Sequence, residues 1–334
     1  MRDELAIRVS ADIPGQLSCT IVDRDGFAVR RYVKADAAAG LHVFNWDGRD
    51  ETSQIVADEA YSVVVRLAHR GGVETYAPAL AAHGHHASST KIEYYDRIRG
   101  VVAYKLKRAA RVHLQAGTAK PGRDGKPQGV AMVNIVDSEP RPAGAVVEHW
   151  TGFDDAKLVS IPDLPHFVLS LVATELPENA VIAVGNTKRT FVSQARARRG
   201  VSMLPVAKAS AHHANLAGTE DRAPALTIEL ASCAGTWPQF RCASSPQNAR
   251  AVLKSGEYLT AFTRQPRTLQ LYVDGDLVAE RRAGGASEAL LLPALTPGPH
   301  LITMNWGSDF GPLATASARV TVSSPAAQPR KVSR

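Results

Sequence analysis

The sequence contains no run of about 18 apolar residues, the length that a membrane-spanning helix needs. Its N-terminus, MRDELAIRVSADIPG, carries charged residues where a signal peptide needs an apolar segment. We therefore expect no transmembrane segment. We also expect that any export signal has been removed from this chain or never existed.

Sequence motifs for catalysis are also missing. There is no Gly-x-Ser-x-Gly elbow, no phosphate-binding loop and no His-Glu-x-x-His motif. A carbohydrate-cleaving site would need paired carboxylates in a cleft lined by aromatic residues, but the chain has only four tryptophans. We predict that the protein is not an enzyme and has no catalytic residues and no cofactor.

Cysteine is scarce, with three in 334 residues and no Cys-x-x-Cys pair, so a zinc ribbon and covalent haem are both unsupported. Cys233 and Cys242 bracket the segment AGTWPQFR, a spacing compatible with a local disulfide across a loop or hairpin. A structural disulfide would place the protein outside the reducing cytosol. The alternative is a pair of buried free thiols.

Helical periodicity is scarce too, and most of the chain alternates apolar and polar residues between turn residues. In QLSCTIV, Leu17, Cys19 and Ile21 share one face, and DRDG at 23–26 turns the chain into FAVRRYV. With 45% hydrophobic and 21% charged residues, the chain can bury a core in each of two or three domains. The predicted fold class is all-β, with tandem Ig-like or fibronectin III-like β-sandwiches.

One motif occurs twice. GLHVFNWDGRD at 40–50 and GAVVEHWTGFD at 144–154 align without a gap at an offset of 104 residues, which indicates an internal repeat. Five identical pairs carry this alignment, namely Gly40 and Gly144, Val43 and Val147, Trp46 and Trp150, Gly48 and Gly152, and Asp50 and Asp154. A looser third relative has Gly298 and Trp306 at a spacing of eight instead of six.

The repeat divides the chain into three modules. We predict an Ig-like sandwich at 1–70, a linker at 71–97 and a diverged second copy of the module at 98–185. A basic linker at 186–223, a third Ig-like sandwich at 224–324 and a C-terminal tail at 325–334 follow. Module two has gained nine residues relative to module one, and we assign them to a lengthened hairpin loop, GTAKPGRDGKPQG at 117–129.

The repeated motif has a structural explanation. A Trp at a strand end covers the core with a large apolar surface, Asp bonds backbone amides in the following turn, and Gly supplies a positive φ. We predict such structural roles for eight residues, namely Trp46, Asp47, Gly48, Asp50, Tyr61, Trp150, Gly152 and Asp154. The alternative is calcium bound by Asp47, Asp50 and Asp154, but about six oxygen ligands are needed and the spacing shows too few.

The pattern of a glycine, a hydrophobic strand, WDGRD, a short loop and an aromatic residue opening a strand resembles the Ig-like module of the flagellar hook-capping (hook assembly scaffold) family. That module is also found in secreted and cell-surface bacterial proteins. The resemblance covers residues 5–70 well. It covers 98–175 more weakly, because Thr151 and Phe153 replace the first Asp and the Arg of WDGRD.

The resemblance implies a β-sandwich building block, of a kind that serves in scaffolds and adaptors more often than in enzymes. Module one departs from the family pattern at Ser53 and Glu59, where that pattern has glycines flanking the loop before Tyr61. We therefore expect this loop to follow a different backbone path.

Two histidine clusters lie in the predicted linkers. AAHGHHASST contains His83, His85 and His86, and AHHA contains His212 and His213. Imidazoles bind copper, nickel or zinc, but a linker lacks the rigid frame that orients metal ligands. We expect solvated or partner-facing loops at both places and no metal site.

Basic residues are concentrated in two stretches. Residues 91–126 contain ten Lys or Arg against three acidic residues, which matches the net charge of +7 of the whole chain, and residues 179–219 contain six Lys or Arg and no acid. Such a charge attracts acidic protein surfaces or anionic glycans. Nucleic acid is not expected, because no recognition helix, zinc finger or aromatic stacking array accompanies the charge. The alternative is a solvated face whose Lys and Arg protect edge strands from aggregation.

The predicted linker at 186–223 lacks sustained strand alternation or a capped helix, so we expect it to be mobile or ordered only by a partner. Arg196, Arg198 and Arg199 lie near the apolar Phe191 and combine charge with a hydrophobic anchor. We predict that these three arginines bind a neighbouring subunit.

Two functions from different classes remain as hypotheses. The first is a structural or assembly subunit of an extracytoplasmic bacterial complex, in the periplasm or at the cell surface, which docks onto other protein subunits through strand edges and linkers. The second is a cell-surface module that binds a glycan or another polyanion.

Overall fold

The computed structural model describes residues 4–78, 90–121, 127–186, 188–198, 223–307 and 312–324. These residues form 22 β-strands, two short α-helices and one 3-10 turn. The all-β prediction is confirmed, and the strands form three sandwiches in chain order. Among the described residues, no helix has the length and apolar character required to cross a membrane.

Module one is a sandwich of a two-stranded and a larger sheet. Its strands are β1 Leu5–Ala11, β2 Gly15–Val22, β3 Ala28–Ala37, β4 Gly40–Trp46, β5 Glu59–His69 and β6 Gly72–Tyr76. Strand β1 pairs with β4, while β2 lies between β3 and β5, and β6 continues the far edge of β5. The alternating side chains Leu17, Cys19 and Ile21 of β2 lie in the core, as their period-2 pattern predicts.

Module two has two three-stranded sheets. Its strands are β7 Ile92–Asp96, β8 Val101–Leu106, β9 Ala110–Pro121, β10 Pro127–Arg141, β11 Gly144–His149 and β12 Phe167–Glu175. One sheet has the order β11-β8-β7 and the other β10-β9-β12. Between β11 and β12 the 3-10 turn Ile161–Asp163 covers one end of the sandwich.

The nine residues gained by module two lengthen strands. Pro121 pairs with Pro127, and Gly117 pairs with Ala131, so β9 and β10 run through the segment predicted to be a loop. The prediction of a long loop at 117–129 is therefore wrong. Strands β9 and β10 continue together beyond the sandwich of module two and pack on module three. Their β-ladder therefore accommodates turn-forming residues such as Gly117 and Gly129.

The chain returns to module one after completing module two. Strand β13 Val181–Ala183 pairs antiparallel with the first residues of β5, and helix α1 Phe191–Arg196 follows. The predicted domain boundaries are corrected at three places, because β6 and β7 both lie inside the predicted 71–97 linker and β13, inside the predicted 98–185 module, belongs to the sheet of module one. We call the described residues 181–186 and 188–198 the return segment.

Module three is the largest sandwich. Its strands are β14 Leu226–Glu229, β15 Cys233–Thr236, β16 Gln239–Cys242, β17 Asn248–Leu253, β18 Arg267–Val273, β19 Asp276–Ala283, β20 Ser287–Leu291, β21 Gly298–Gly307 and β22 Ala314–Val322, and helix α2 is Leu259–Phe262. The sheets have the orders β14-β17-β20 and β15-β16-β22-β21-β18-β19. Strands β18 and β19 form a hairpin about Asp274 and Gly275, and both turn residues have positive φ. Trp306 lies fully buried in the core.

Candidate functional site

The two copies of the motif build the same loop. Trp46 donates from Nε1 to the carbonyl oxygen of Arg49 at 2.9 Å, and Trp150 donates in the same way to Phe153 at 2.9 Å. Both indoles are buried, with 2% and 7% exposure. The predicted equivalence of Trp46 and Trp150 is therefore seen in their burial and in this hydrogen bond.

The glycines and carboxylates of the motif have the predicted local roles. Gly48 and Gly152 have φ of 71° and 85°, which an L side chain rarely adopts. Asp50 Oδ1 accepts the backbone N–H groups of Thr52 and Gln54, and Asp154 Oδ1 accepts those of Leu158 and Val159. Asp47 Oδ1 accepts the N–H of Arg49 at 3.1 Å. These contacts give the acidic residues a role in holding the turns.

Tyr61 and Ser53 complete the loop of module one. The ring of Tyr61 packs edge-on against Trp46 at 5.5 Å between centroids, and its hydroxyl donates to the carbonyl of Ala57 at 2.9 Å. Burial raises the pKa of Tyr61. Ser53 has φ of 62°, in the region that glycine adopts freely. The expected change of backbone path is thus not needed at Ser53, because the serine itself takes a left-handed conformation.

A buried ionic cluster joins modules one and two. Glu59 opens β5 with 3% exposure and accepts Arg24 Nη1 at 2.9 Å. Its other carboxylate oxygen accepts Nη2 of Arg111, which comes from β9 of module two. Burial alone would raise the pKa of Glu59, but the attraction of Arg111 and Arg24 outweighs it and holds the pKa below its usual value. We call Arg24, Glu59 and Arg111 the ionic cluster.

The return segment covers the loop of module one through backbone contacts. Asn186 donates from Nδ2 to the carbonyl oxygens of Ile55 and Val56, and its own N–H donates to Asp58. In α1, Thr190 caps the helix by accepting the N–H of Ser193.

Gln194 and the segment's arginines complete the attachment to module one. Gln194 is buried in module one and accepts the N–H of Ala57 through Oε1 at 2.8 Å. Arg189 bonds Asp50 at 2.8 Å. Arg198 bonds Asp23 at 2.6 Å and Asp25 at 2.8 Å.

These contacts correct the predicted role of the linker. Residues 188–198 contain a capped helix and are ordered by module one of the same chain, so the expectation of a segment ordered only by a partner is wrong there. Arg198 is bound within the chain, and Arg196 donates to the carbonyl of Glu257 in module three at 2.8 Å. Arg199 lies outside the described residues, and binding of a partner by these arginines stays a prediction.

Arg198 binds a carboxylate in an unusual environment. Asp23 is buried, and its Oδ1 also accepts the N–H groups of Asp25 and Phe27. Burial raises the pKa of Asp23 to about 6, although Arg198 opposes that rise. The guanidinium of Arg198 lies 4.3 Å from the centroid of the Phe27 ring.

Modules two and three share an apolar junction. Tyr272 belongs to the same buried cluster as Val130, Met132 and Trp150 of module two. Thr315 donates to the carbonyl of Ala131 at 3.0 Å.

Polar contacts extend this junction along the lengthened strands. Lys120 near the end of β9 donates to the carbonyl of Asp274 at 3.0 Å. Asn134 of β10 donates to the carbonyl of Leu313 at 2.7 Å. The lengthened β9 and β10 therefore form part of the contact between modules two and three.

The predicted disulfide is present. Cys233 and Cys242 are bonded at an S–S distance of 2.00 Å and face each other across β15 and β16. Cys19 is a buried free cysteine. The histidine clusters, His83, His85 and His86 together with His212 and His213, lie outside the described residues.

Sequence reasoning missed the ionic cluster and Gln194. Glu59 was noticed only as a departure from a family pattern, although an acid at the start of the apolar strand EAYSVVVRL is itself a signal of a buried ion pair. Nothing in the sequence pairs Glu59 with Arg111, which lies 52 residues away.

Comparisons with known proteins support the family resemblance. No protein-family model matches the chain. A stretch of 65 residues is 32% identical to the basal-body rod modification protein FlgD of Salmonella typhimurium, and an equal match is found in Salmonella typhi. The match spans 20% of this chain and 28% of the curated relatives. The resemblance to Ig-like, hook-cap-like modules is confirmed in this sense.

Similarities to solved structures are weak. A structure of FlgD from P. aeruginosa is 16% identical with a TM-score of 0.21, covering 43% of this chain and 86% of that one. A tetra-tandem repeat from the extending region of a large adhesion protein is 13% identical with a TM-score of 0.22, covering 95% of this chain and 70% of that one. At such TM-scores we base no conclusion on either similarity.

Proposed function

We propose that the protein is a non-enzymatic structural or assembly subunit of an extracytoplasmic bacterial complex. In this role its three sandwiches form one body of fixed geometry that docks onto partner subunits. The 65-residue similarity to a flagellar rod modification protein supports a role in assembly. The Cys233–Cys242 disulfide supports an oxidising location such as the periplasm or the cell surface.

The observation that carries the proposal is the way in which the modules are joined. Arg111 of module two is 7% exposed and reaches into module one to bind Glu59. Removing one partner from such a buried pair leaves an uncompensated charge, which costs about 3 to 5 kcal/mol. Contacts of this kind oppose free rotation between the modules, and a fixed arrangement is what a spacer or scaffold within a larger assembly requires.

Open strand edges supply docking surfaces for such a subunit. Strand β12 pairs along its nine residues with β9, and no other strand in the described part of the chain pairs with it. Its sequence, FVLSLVATE, contains no Lys, Arg or Pro, the residues that commonly protect sheet edges. A partner strand can extend such a sheet through backbone hydrogen bonds.

The proposal is tested with two baits that differ in module geometry. Wild-type protein and the Arg111→Ala variant are immobilised and exposed to envelope extract, and bound proteins are quantified after cross-linking. We expect the wild type to capture a protein assembly in fixed stoichiometry and Arg111→Ala to lose most of it, while circular dichroism shows that the β-sheet content is kept. A wild-type chain that stays monomeric in light scattering and captures no assembly contradicts the proposal.

A further inference from the structure

A cleft lined by both polar and apolar residues lies between modules two and three. It has a volume of about 240 Å³ and opens beside the contact that Thr315 makes with β10. Strands β9, β10 and β12 contribute its floor, and β18 and β21 contribute its wall. Seven of its described lining residues have polar side chains, namely His113, Gln115, Thr118, Ser170, Thr268, Gln270 and Asn305.

The strand registers bring these side chains together in pairs. Ser170 of β12 is opposite Gln115 of β9, and Gln270 of β18 is opposite Asn305 of β21. Residues opposite each other on antiparallel strands project to the same face of a sheet. Each module therefore presents one polar cross-strand pair to the cleft.

Two amide groups at the cleft are held in place by neighbours. Gln115 donates from Nε2 to Asn134 at 2.9 Å, which leaves its Oε1 as an acceptor. Gln270 accepts the hydroxyl of Tyr272 at 3.0 Å and donates to Glu280 at 2.6 Å. Side chains fixed in this way are suited to bind a ligand without further ordering.

One buried polar atom at the cleft, Oδ1 of Asn305, has no hydrogen-bond partner among the described residues, and the side chain of Asn305 is almost fully buried. Nδ1 of His113 instead faces Oδ1 of Asp137 at 3.6 Å, so it is directed at a carboxylate of the same chain. Buried polar atoms are nearly always bonded in folded proteins, so the Asn305 oxygen indicates a missing polar partner at the cleft.

The chemistry of the lining defines the class of ligand. Among the residues that the structure describes, no Lys, Arg, Asp or Glu lines the cleft and His113 is the one titratable side chain there, so the described lining favours a neutral ligand. Amides and hydroxyls both donate and accept hydrogen bonds, and they therefore suit a ligand with many hydroxyl groups. The volume is below the roughly 300 to 1,000 Å³ of pockets for drug-sized molecules, which limits the ligand to about one ring.

We propose that this cleft binds one sugar ring of a neutral glycan. This sugar-binding site and the assembly role proposed above are independent, because a scaffold subunit functions with or without such a site. The proposed ligand also differs from the anionic glycan considered from the basic charge of the sequence, since the described part of the lining contains no Lys or Arg.

The test uses affinity electrophoresis through gels that contain dextran, a mixed-linkage β-glucan or galactomannan, and heparin serves as the anionic comparison. Ser170→Trp fills the cleft, and Gln115→Ala removes an acceptor from it. Leu291→Trp is the control, because Leu291 of β20 is 75% exposed, lies in the other sheet of module three and does not line the cleft. Melting temperatures verify that each variant folds.

We expect at least one neutral polysaccharide to retard the wild type and Leu291→Trp. The apparent Kd should rise at least tenfold in both Ser170→Trp and Gln115→Ala. Migration unaffected by every neutral polysaccharide overturns the proposal, as does retardation that persists in both cleft variants. Retardation by heparin alone, removed by salt, also overturns it and assigns binding to the basic surface.

Discussion

At the scale of single residues, Trp46 joins the core to the loop that follows it. Its ring packs against Tyr61, and its Nε1 donates to the carbonyl of Arg49. An alanine at this position would lose the apolar contacts and leave this carbonyl without its donor. The same reasoning applies to Trp150, whose ring also borders the junction with module three.

We predict that Trp46→Ala lowers the free energy of unfolding by roughly 3 to 5 kcal/mol, because a large buried side chain leaves a cavity. Urea denaturation followed by circular dichroism measures this loss. Leu41→Ala on the same strand is the control, since Leu41 is 66% exposed and should change stability by less than about 0.5 kcal/mol. Equal stability of the two variants would show that Trp46 is not a core residue.

Asp23 makes stability depend on pH in a direction opposite to that of most paired carboxylates. Its pKa is raised from 3.8 to about 6, so the folded chain binds the proton more tightly than the unfolded chain. The contribution of this group to stability therefore decreases as pH rises from about 4 to about 6 and then stays constant.

As the pH rises over that range, the unfolding free energy of Asp23→Asn minus that of the wild type should increase by roughly 2 to 3 kcal/mol. Urea denaturation at half-unit intervals from pH 4 to pH 7.5 measures this difference, and taking the difference removes titrations that both proteins share. A flat difference would mean that Asp23 has the same proton affinity in both states.

At the scale of elements, period-2 alternation located long strands but not the return segment. Strand β2 carries Leu17, Cys19 and Ile21 on one face, so its pattern alone predicted burial. Strand β13 has three residues and α1 has six, which is too short for any periodicity to appear. Their order comes from tertiary contacts with module one, and a local pattern does not report such contacts.

The nine-residue gain in module two shows the same limit. Gly, Pro and Lys are typical of loops, and they predicted one. The strands persist because module three packs on them, with Tyr272 of β18 buried against Val130 of β10. Of the candidate site, the sequence predicted the Trp loops and the disulfide, whereas the ionic cluster and the cleft depend on residues far apart in the chain.

We predict that Gln194→Ala costs about 1 to 3 kcal/mol, because it leaves the buried N–H of Ala57 without its acceptor. Hydrogen exchange should then speed up in α1 and at Ala57. Ser193→Ala, at an exposed position of the same helix, should change stability by less than about 0.5 kcal/mol. Unchanged exchange at Ala57 in the Gln194 variant would contradict the assigned contact.

At the scale of the whole molecule, much of the basic charge is used to join parts of the chain. Arg111 connects module two to module one, and Arg189 and Arg198 attach the return segment to the acids Asp50 and Asp23. The basic stretches of the sequence therefore contribute internal ion pairs as well as surface charge. Buried ion pairs of this kind specify an arrangement more than they add stability.

We predict that Arg111→Ala lowers the free energy of unfolding by about 3 to 5 kcal/mol and separates the melting of module one from that of module two. The triple variant Arg24→Met, Glu59→Leu, Arg111→Met should lose much less, because it removes all three charges together. Differential scanning calorimetry of both variants and the wild type tests this. Equal losses in the two variants would show that packing, and not the uncompensated charge, dominates at the junction.

The pairing of β13 with β5 affects how the chain folds during translation. Tyr61 leaves the ribosome about 120 residues before its partner Val181. Until then the nascent module one has an unpaired stretch of β5, and for the first 52 residues made after Glu59 this carboxylate has Arg24 but not Arg111 as a partner. Module one is therefore completed only after module two has been synthesised, and a ribosome that stalls before Val181 would leave an open strand edge able to pair with neighbouring nascent chains.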